Sequence, residues 1–85
     1  MSKFEKLILK LLSGKADNNF NFEDLRRLLF SLGFSERMKG GSHHVFTKEN
    51  IPDIINIQPI GSKAKDYQVK QVRNLVIKYK LVDYE

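Results

Sequence analysis

The apolar pattern of this 85-residue chain changes its period twice, and this limits the folds available to it. In residues 2–32 and 66–79, large apolar residues recur every three or four positions, as on one face of a helix. Between residues 34 and 58, short apolar runs are separated by Gly and Pro, as in strands joined by turns. The pattern therefore predicts helices at both ends of the chain and an antiparallel sheet between them, an α+β fold.

Two helices are predicted before the strands. The first begins at Ser2, which can form a capping box with Glu5 three residues later. The second begins after Asn21, a residue type that commonly caps helices. We therefore expect an N-terminal helical extension over residues 1–20 and a second part over residues 21–85. The chain is short enough that the two parts form one compact domain.

The predicted sheet has three strands, at residues 34–38, 42–47 and 54–58. A Lys-Gly-Gly turn joins the first two strands, and a loop over residues 48–53 precedes the third because Pro52 cannot donate to a strand ladder. We expect residues 60–65 to be a flexible basic connector and residues 66–79 to form the last helix. The result is a three-stranded antiparallel sheet with helices on one face.

Positive charge is concentrated near the C-terminus. The whole chain carries a net charge of +5, and residues 61–80 alone carry the same excess. That segment contains one acidic residue, Asp66, and six basic ones, namely Lys63, Lys65, Lys70, Arg73, Lys78 and Lys80. A localised basic surface is typical of a nucleic-acid-binding protein, although a solvated helix face explains the charge equally well.

The composition excludes several classes of protein. Cysteine is absent, so disulfides and thiolate metal sites are excluded. No run approaches the roughly 20 apolar residues that cross a bilayer, and the lysine-rich N-terminus lacks a secretory pattern. We therefore expect a cytoplasmic protein with no membrane partner and no small-molecule cofactor.

The two histidines are adjacent, at positions 43 and 44, on the second predicted strand. Side chains alternate across a strand, so His44 should face the helices together with Phe46. His43 should face solvent together with Val45 and Thr47. One metal ion would have difficulty reaching both rings, and no metal site is predicted.

Gly40 and Gly41 precede the histidines and permit a turn with positive φ angles. A phosphate can approach such a turn closely, next to the imidazole of His43. An ordinary hairpin with a surface histidine accounts for the same residues. These residues alone leave both interpretations open.

The stretch "GGSHHVF", the strand ending "INIQP" and the helix "YQVKQVRNLVIKYKL" together resemble the HicA toxins. These are the small mRNA interferases of HicA–HicB toxin–antitoxin pairs. The resemblance covers residues 22–81, and its most specific element is Gly-Ser-His-x-x-Phe. It implies a fold like that of double-stranded-RNA-binding domains, with residues 21–85 as the catalytic domain. The single essential histidine of the family corresponds to His43.

Two features depart from the family pattern. Residues 1–20 lie outside the usual core, and the family suggests no role for a helix there. Many members also have a histidine soon after the proline that ends the third strand, whereas here Ile60 and Gly61 follow Pro59.

The resemblance implies a metal-independent endoribonuclease that cuts mRNA and is inhibited by a HicB-like antitoxin. His43 would act as general acid or base for attack by the ribose 2′-OH on the neighbouring phosphorus. The residues expected to contact RNA are Lys39, Gly41, Ser42, Lys63, Lys65, Lys70 and Arg73. A non-catalytic RNA-binding module with the same fold and charge is the main alternative. A protein-interaction domain with a basic helix is a third.

Overall fold

The computed structural model describes residues 2–41 and 43–82. Its helices are α1 (Lys3–Ser13), α2 (Phe22–Ser31) and α3 (Asp66–Lys78), with a short 3₁₀ turn at Asp17–Asn19. Its strands are β1 (Ser35–Met38), β2 (His44–Lys48), β3 (Ile51–Ile57), β4 (Pro59–Ile60) and β5 (Lys63–Ala64). The first three strands form an antiparallel sheet in the order β1-β2-β3, and β4 pairs with β5. The predicted α+β class with a three-stranded antiparallel sheet is confirmed.

Side chains cap the first two helices as the sequence predicts. The Ser2 hydroxyl accepts a hydrogen bond from the Glu5 N–H at 3.1 Å, and the Glu5 carboxylate accepts one from the Ser2 N–H at 3.0 Å. The Asn21 side chain accepts from the Asp24 N–H at 2.9 Å. Each cap stabilises its helix by about 1 kcal/mol. Among the described residues, no helix has the length and apolar character needed to cross a membrane.

A single core lies between the sheet and the helices. Phe46, Ile55 and Ile57 point from the sheet into this core and are fully buried. Helices α2 and α3 contact the sheet, and α1 packs mainly against α2 and α3. Leu11 of α1 belongs to the same cluster of buried side chains, so the N-terminal extension is part of the same core. On the opposite face of the sheet, exposed residues such as Ile54 meet solvent.

Strand β3 begins at Ile51, three residues earlier than predicted, and it includes Pro52. The predicted loop over residues 48–53 is therefore wrong. β3 is an edge strand, and such a strand tolerates proline because an N–H on its open side would bond only to water. The connection to β2 is a two-residue turn in which Asn50 adopts a φ of 71°.

The predicted flexible connector after β3 is also wrong, because it folds into the β4–β5 hairpin. Gly61 adopts a φ of 61° in its turn. The hairpin is attached to the start of α2, since the Phe22 N–H donates to the Ser62 carbonyl at 2.9 Å. The Ala64 N–H donates to the Phe20 carbonyl at the same distance. These bonds hold the backbone of the hairpin, including Lys63, its one basic residue, in a fixed place.

Candidate nucleic-acid interface

One end of the sheet carries the catalytic histidine predicted from the sequence. β1 ends there and β2 begins there, and Lys39, Gly40, Gly41 and His43 belong to the turn between them. The Lys39 N–H donates to the His43 carbonyl at 3.0 Å, and the His43 N–H donates to the Gly40 carbonyl at 3.3 Å. β2 begins at His44, so His43 belongs to the turn rather than to the strand in which it was predicted. Its side chain is exposed.

The two glycines of this turn are required by the backbone. Gly40 and Gly41 have φ angles of 57° and 58°, a conformation that side-chain-bearing residues rarely adopt. A Cβ atom built on either glycine would meet nothing within 4 Å among the described residues. The space over the turn is thus open to a phosphate. Ser42, which was predicted to contact RNA, lies outside the described residues.

His44 lies on the side of the sheet that faces the helices. Its Nδ1 atom lies 2.6 Å from Glu36 Oε2, and its ring packs edge-on against the Phe22 ring with 4.8 Å between centroids. Its side chain is 15% exposed, whereas His43 is an exposed residue. The predicted placement of His44 on the side of the helices is confirmed.

Glu36 is held between two cationic or hydrogen-bonding partners. Arg26 donates from Nε and Nη2 to the two carboxylate oxygens of Glu36, both at 2.7 Å. These bonds, with a smaller contribution from His44, lower the pKa of Glu36 to about 2 despite its burial. An ionised carboxylate only accepts hydrogen bonds, so His44 Nδ1 is the donor. The sequence reasoning missed this cluster, although the parity of Glu36 with the buried Phe34 was a signal for it.

Replacing Glu36 by Gln should lower the free energy of unfolding at pH 7 by about 2 kcal/mol, because charged hydrogen bonds are lost. The wild-type protein should lose this stabilisation as the pH falls from 4.5, the ordinary value, through the folded-state pKa of about 2. The Glu36→Gln variant has no carboxylate at this position, so it should not show this loss of stability on acidification. Urea unfolding of both proteins across this pH range measures the difference.

Glu23→Gln is the matched control for that measurement. Glu23 also contacts Arg26, at 3.2 Å, but its side chain is 57% exposed. Exposed ion pairs contribute little, so the control should change stability by less than about 0.5 kcal/mol. Parallel pH curves for wild-type and Glu36→Gln proteins would contradict the assignment.

Lys65 reaches the same end of the sheet as His43. His44 pairs with Ile57, so His43 precedes β2 and Gln58 follows β3 at the same end of the sheet. Lys65 Nζ donates to the Gln58 side-chain oxygen at 2.9 Å. The Lys65 ammonium is thereby held beyond the end of β3.

The other predicted RNA contacts have different surroundings. Lys39 and Gly41 are exposed in the turn, and Lys63 is exposed on β5, which bridges to Asn21 at the start of α2. Lys70 is exposed on α3, about one turn beyond its start. The structure therefore places Lys39 and Gly41 in the turn with His43, and Lys65 beside Gln58 beyond the end of β3.

Arg73 lies apart from this group. Its Nη1 atom donates to Asp17 at 2.8 Å and to the Leu11 carbonyl at 3.2 Å. Its side chain is only 17% exposed. Arg73 therefore joins α3 to the end of α1, and no local pattern in the sequence indicated its ion pair with Asp17.

Within residues 2–41 and 43–82, no three His, Asp or Glu side chains are grouped so that they could hold a metal ion. Comparison with protein-family models, with curated proteins and with solved structures finds no match for this chain. We therefore infer the function from the residues of the site and their geometry.

Proposed function

We propose that this protein is a metal-independent endoribonuclease of the HicA type, the toxin of a type II toxin–antitoxin pair that cuts mRNA in the cytoplasm. The observation that carries the proposal is the placement of His43. It is exposed on a glycine turn with open space above it; Lys39 lies in the same turn, and Lys65 contacts Gln58 beyond the end of β3. This combination provides a proton-transfer group together with binding sites for phosphate.

The chemistry needs one titratable group near a phosphodiester. Histidine exchanges protons near neutral pH, so His43 can remove the proton from a ribose 2′-OH or donate one to the departing 5′-oxygen. A bond forms between the 2′-oxygen and phosphorus, and the bond from phosphorus to the 5′-oxygen breaks. The products carry a 2′,3′-cyclic phosphate and a 5′-hydroxyl. Lys39 and Lys65 offset negative charge on the phosphoryl oxygens.

The element order supports the finer fold assignment in this proposal. A double-stranded-RNA-binding domain has a helix, a three-stranded antiparallel sheet and a second helix. Here α2, β1-β2-β3 and α3 follow that order, and α2 and α3 both contact the sheet. Helix α1 and the β4–β5 hairpin are additions to this arrangement.

A non-catalytic RNA-binding module is the second candidate. The exposed Lys63 and Lys70 lie on the hairpin and α3, where they can contact phosphates without help from a histidine. Proteins that recognise RNA by its shape need such basic residues and no acid–base group. Cleavage, rather than binding, therefore separates the two candidates.

The test is cleavage of a 5′-labelled single-stranded RNA in the presence of a metal chelator. We expect products that end in a 2′,3′-cyclic phosphate, because the attacking nucleophile is the neighbouring 2′-OH. A DNA strand of the same sequence is the matched control and should remain intact. Tight binding of RNA without any cut would favour the non-catalytic module. Cleavage that requires a divalent metal ion would contradict the proposed mechanism.

A toxin of this kind needs an inhibitor in the same cell. We propose a HicB-like antitoxin as the protein partner and mRNA as the nucleic-acid partner. The basic end of the sheet suits an acidic protein surface, because complementary charge accelerates association.

A further inference from the structure

An open groove of about 300 Å³ lies between the β4–β5 hairpin and the first turn of α3. Its walls include two apolar side chains, Ile60 and Tyr67, together with Lys63 and Lys65. Ile60 is 62% exposed and Tyr67 is 58% exposed. The proposed cleavage chemistry uses neither of them.

Single exposed apolar residues are common on protein surfaces, but two that line the same groove indicate a contact site. Tyr67 already lies beside a positive charge, since Lys65 Nζ is 6.0 Å from the centre of its ring. The groove thus places a flat aromatic surface next to an ammonium group. A nucleotide has the matching features, a flat base and a negative phosphate.

We propose that this groove binds one unpaired nucleotide of the RNA, with the base stacked on Tyr67 and the phosphate beside Lys63 and Lys65. Ile60 contacts the base from the hairpin side. This inference rests on the proposed function, because it takes RNA as the ligand. It adds a binding site for a single base outside the catalytic turn.

Two polar residues at the groove orient the nucleotide. Asp66 and Asn18 also line it, and the Asp66 carboxylate accepts a hydrogen bond from the Tyr67 N–H at 2.7 Å. A carboxylate repels phosphate and accepts hydrogen bonds from the N–H groups of a base. The edge of the base therefore faces Asp66 and Asn18, and the phosphate faces the lysines.

The groove also connects, through Lys65, to the end of the sheet that carries His43. Lys65 lines the groove, and its ammonium contacts Gln58 beyond the end of β3, the end of the sheet that carries His43. A strand of RNA held in the groove can therefore continue across the turn.

The experiment measures binding of the full chain to a fluorescein-labelled, single-stranded 2′-O-methyl RNA of about six nucleotides. This probe has no free 2′-OH and cannot be cut by 2′-OH attack, so binding is measured apart from cleavage. Tyr67→Ala should weaken binding about tenfold, because stacking of one base is lost. Tyr67→Phe keeps the ring and should bind like the wild type.

Two further variants identify the kind of contact. Ile54→Ala is the matched control, since Ile54 is 60% exposed on the open face of the sheet, away from the groove, and its loss should leave binding unchanged. Lys63→Gln should reduce the slope of log binding constant against log salt concentration by about one, the effect of losing one phosphate contact. Tyr67→Ala should leave this slope unchanged. Thermal melting of every variant confirms that it is folded.

Unchanged binding by folded Tyr67→Ala would overturn the inference. So would an equal loss on a base-paired hairpin probe, which offers no unpaired base. If Tyr67→Ala weakened only the complex with an antitoxin, the groove would be a protein-binding surface and the inference would again fail. If the wild-type protein does not bind the probe, both this inference and the proposed RNA target are refuted. If binding depends on Tyr67 but natural RNA is not cut, only the proposed enzymatic activity is refuted.

Discussion

Replacing His43 by Ala should lower the rate of RNA cleavage by about 10²–10⁴-fold, the usual contribution of a positioned acid–base group. The side chain is exposed, so the melting temperature should change by no more than about 3 °C. Cleavage of labelled RNA and thermal melting measure the two effects. In bacteria, the wild-type chain should arrest growth and the variant should not.

His44→Ala is the matched comparison for this experiment. It removes the bond to Glu36 and the packing against Phe22, and we expect it to destabilise the fold by about 2–3 kcal/mol. The cleavage rate of the molecules that remain folded should stay close to that of wild type. Equal toxicity of wild-type and His43→Ala proteins would remove His43 from the mechanism. A catalytic loss confined to His44→Ala would transfer the role to His44.

The second large effect concerns the antitoxin. An exposed histidine on an open turn can be inhibited by being covered, and we expect the partner to cover His43 and contact Lys63, Lys65 or Lys70. Modification of His43 by diethyl pyrocarbonate should then be almost completely blocked in the complex, and RNA should compete with the antitoxin. The net charge of +5 should make association fast and salt-sensitive.

Helix α1 gives the alternative location for the partner. An antitoxin that binds α1 would leave His43 fully reactive, and the complex would still bind RNA. His44 serves as the internal control for chemical modification, because its side chain is only 15% exposed and should react slowly both in the free protein and in the complex.

Local signals were enough to predict most of the fold. The side-chain caps at Ser2 and Asn21 determine where α1 and α2 begin, and these interactions span only three residues. The parity that places His44 with Phe46 on the side of the helices is likewise a property of one short strand, β2. Such features depend on neighbours in sequence, so a pattern in the sequence is sufficient to predict them.

The parts that were missed depend on distant residues. Proline in β3 is tolerated because of the strand's place at the sheet edge, which no local pattern reveals. The β4–β5 hairpin is ordered by bonds to Phe20 and Phe22, about forty residues earlier in the chain. Arg73 was counted among the basic residues available to RNA, but in the fold it forms an ion pair with Asp17.

The proline in β3 has a consequence for how the protein behaves in solution. An open three-stranded sheet has two edges, and each can act as a template on which strands of other molecules assemble into aggregates. Pro52 interrupts the row of donors along one edge. The other edge strand, β1, has four residues, and its Arg37 is exposed, so a second copy would meet the same positive charge. The proline that breaks the strand pattern in the sequence therefore also helps to prevent intermolecular growth of the folded sheet.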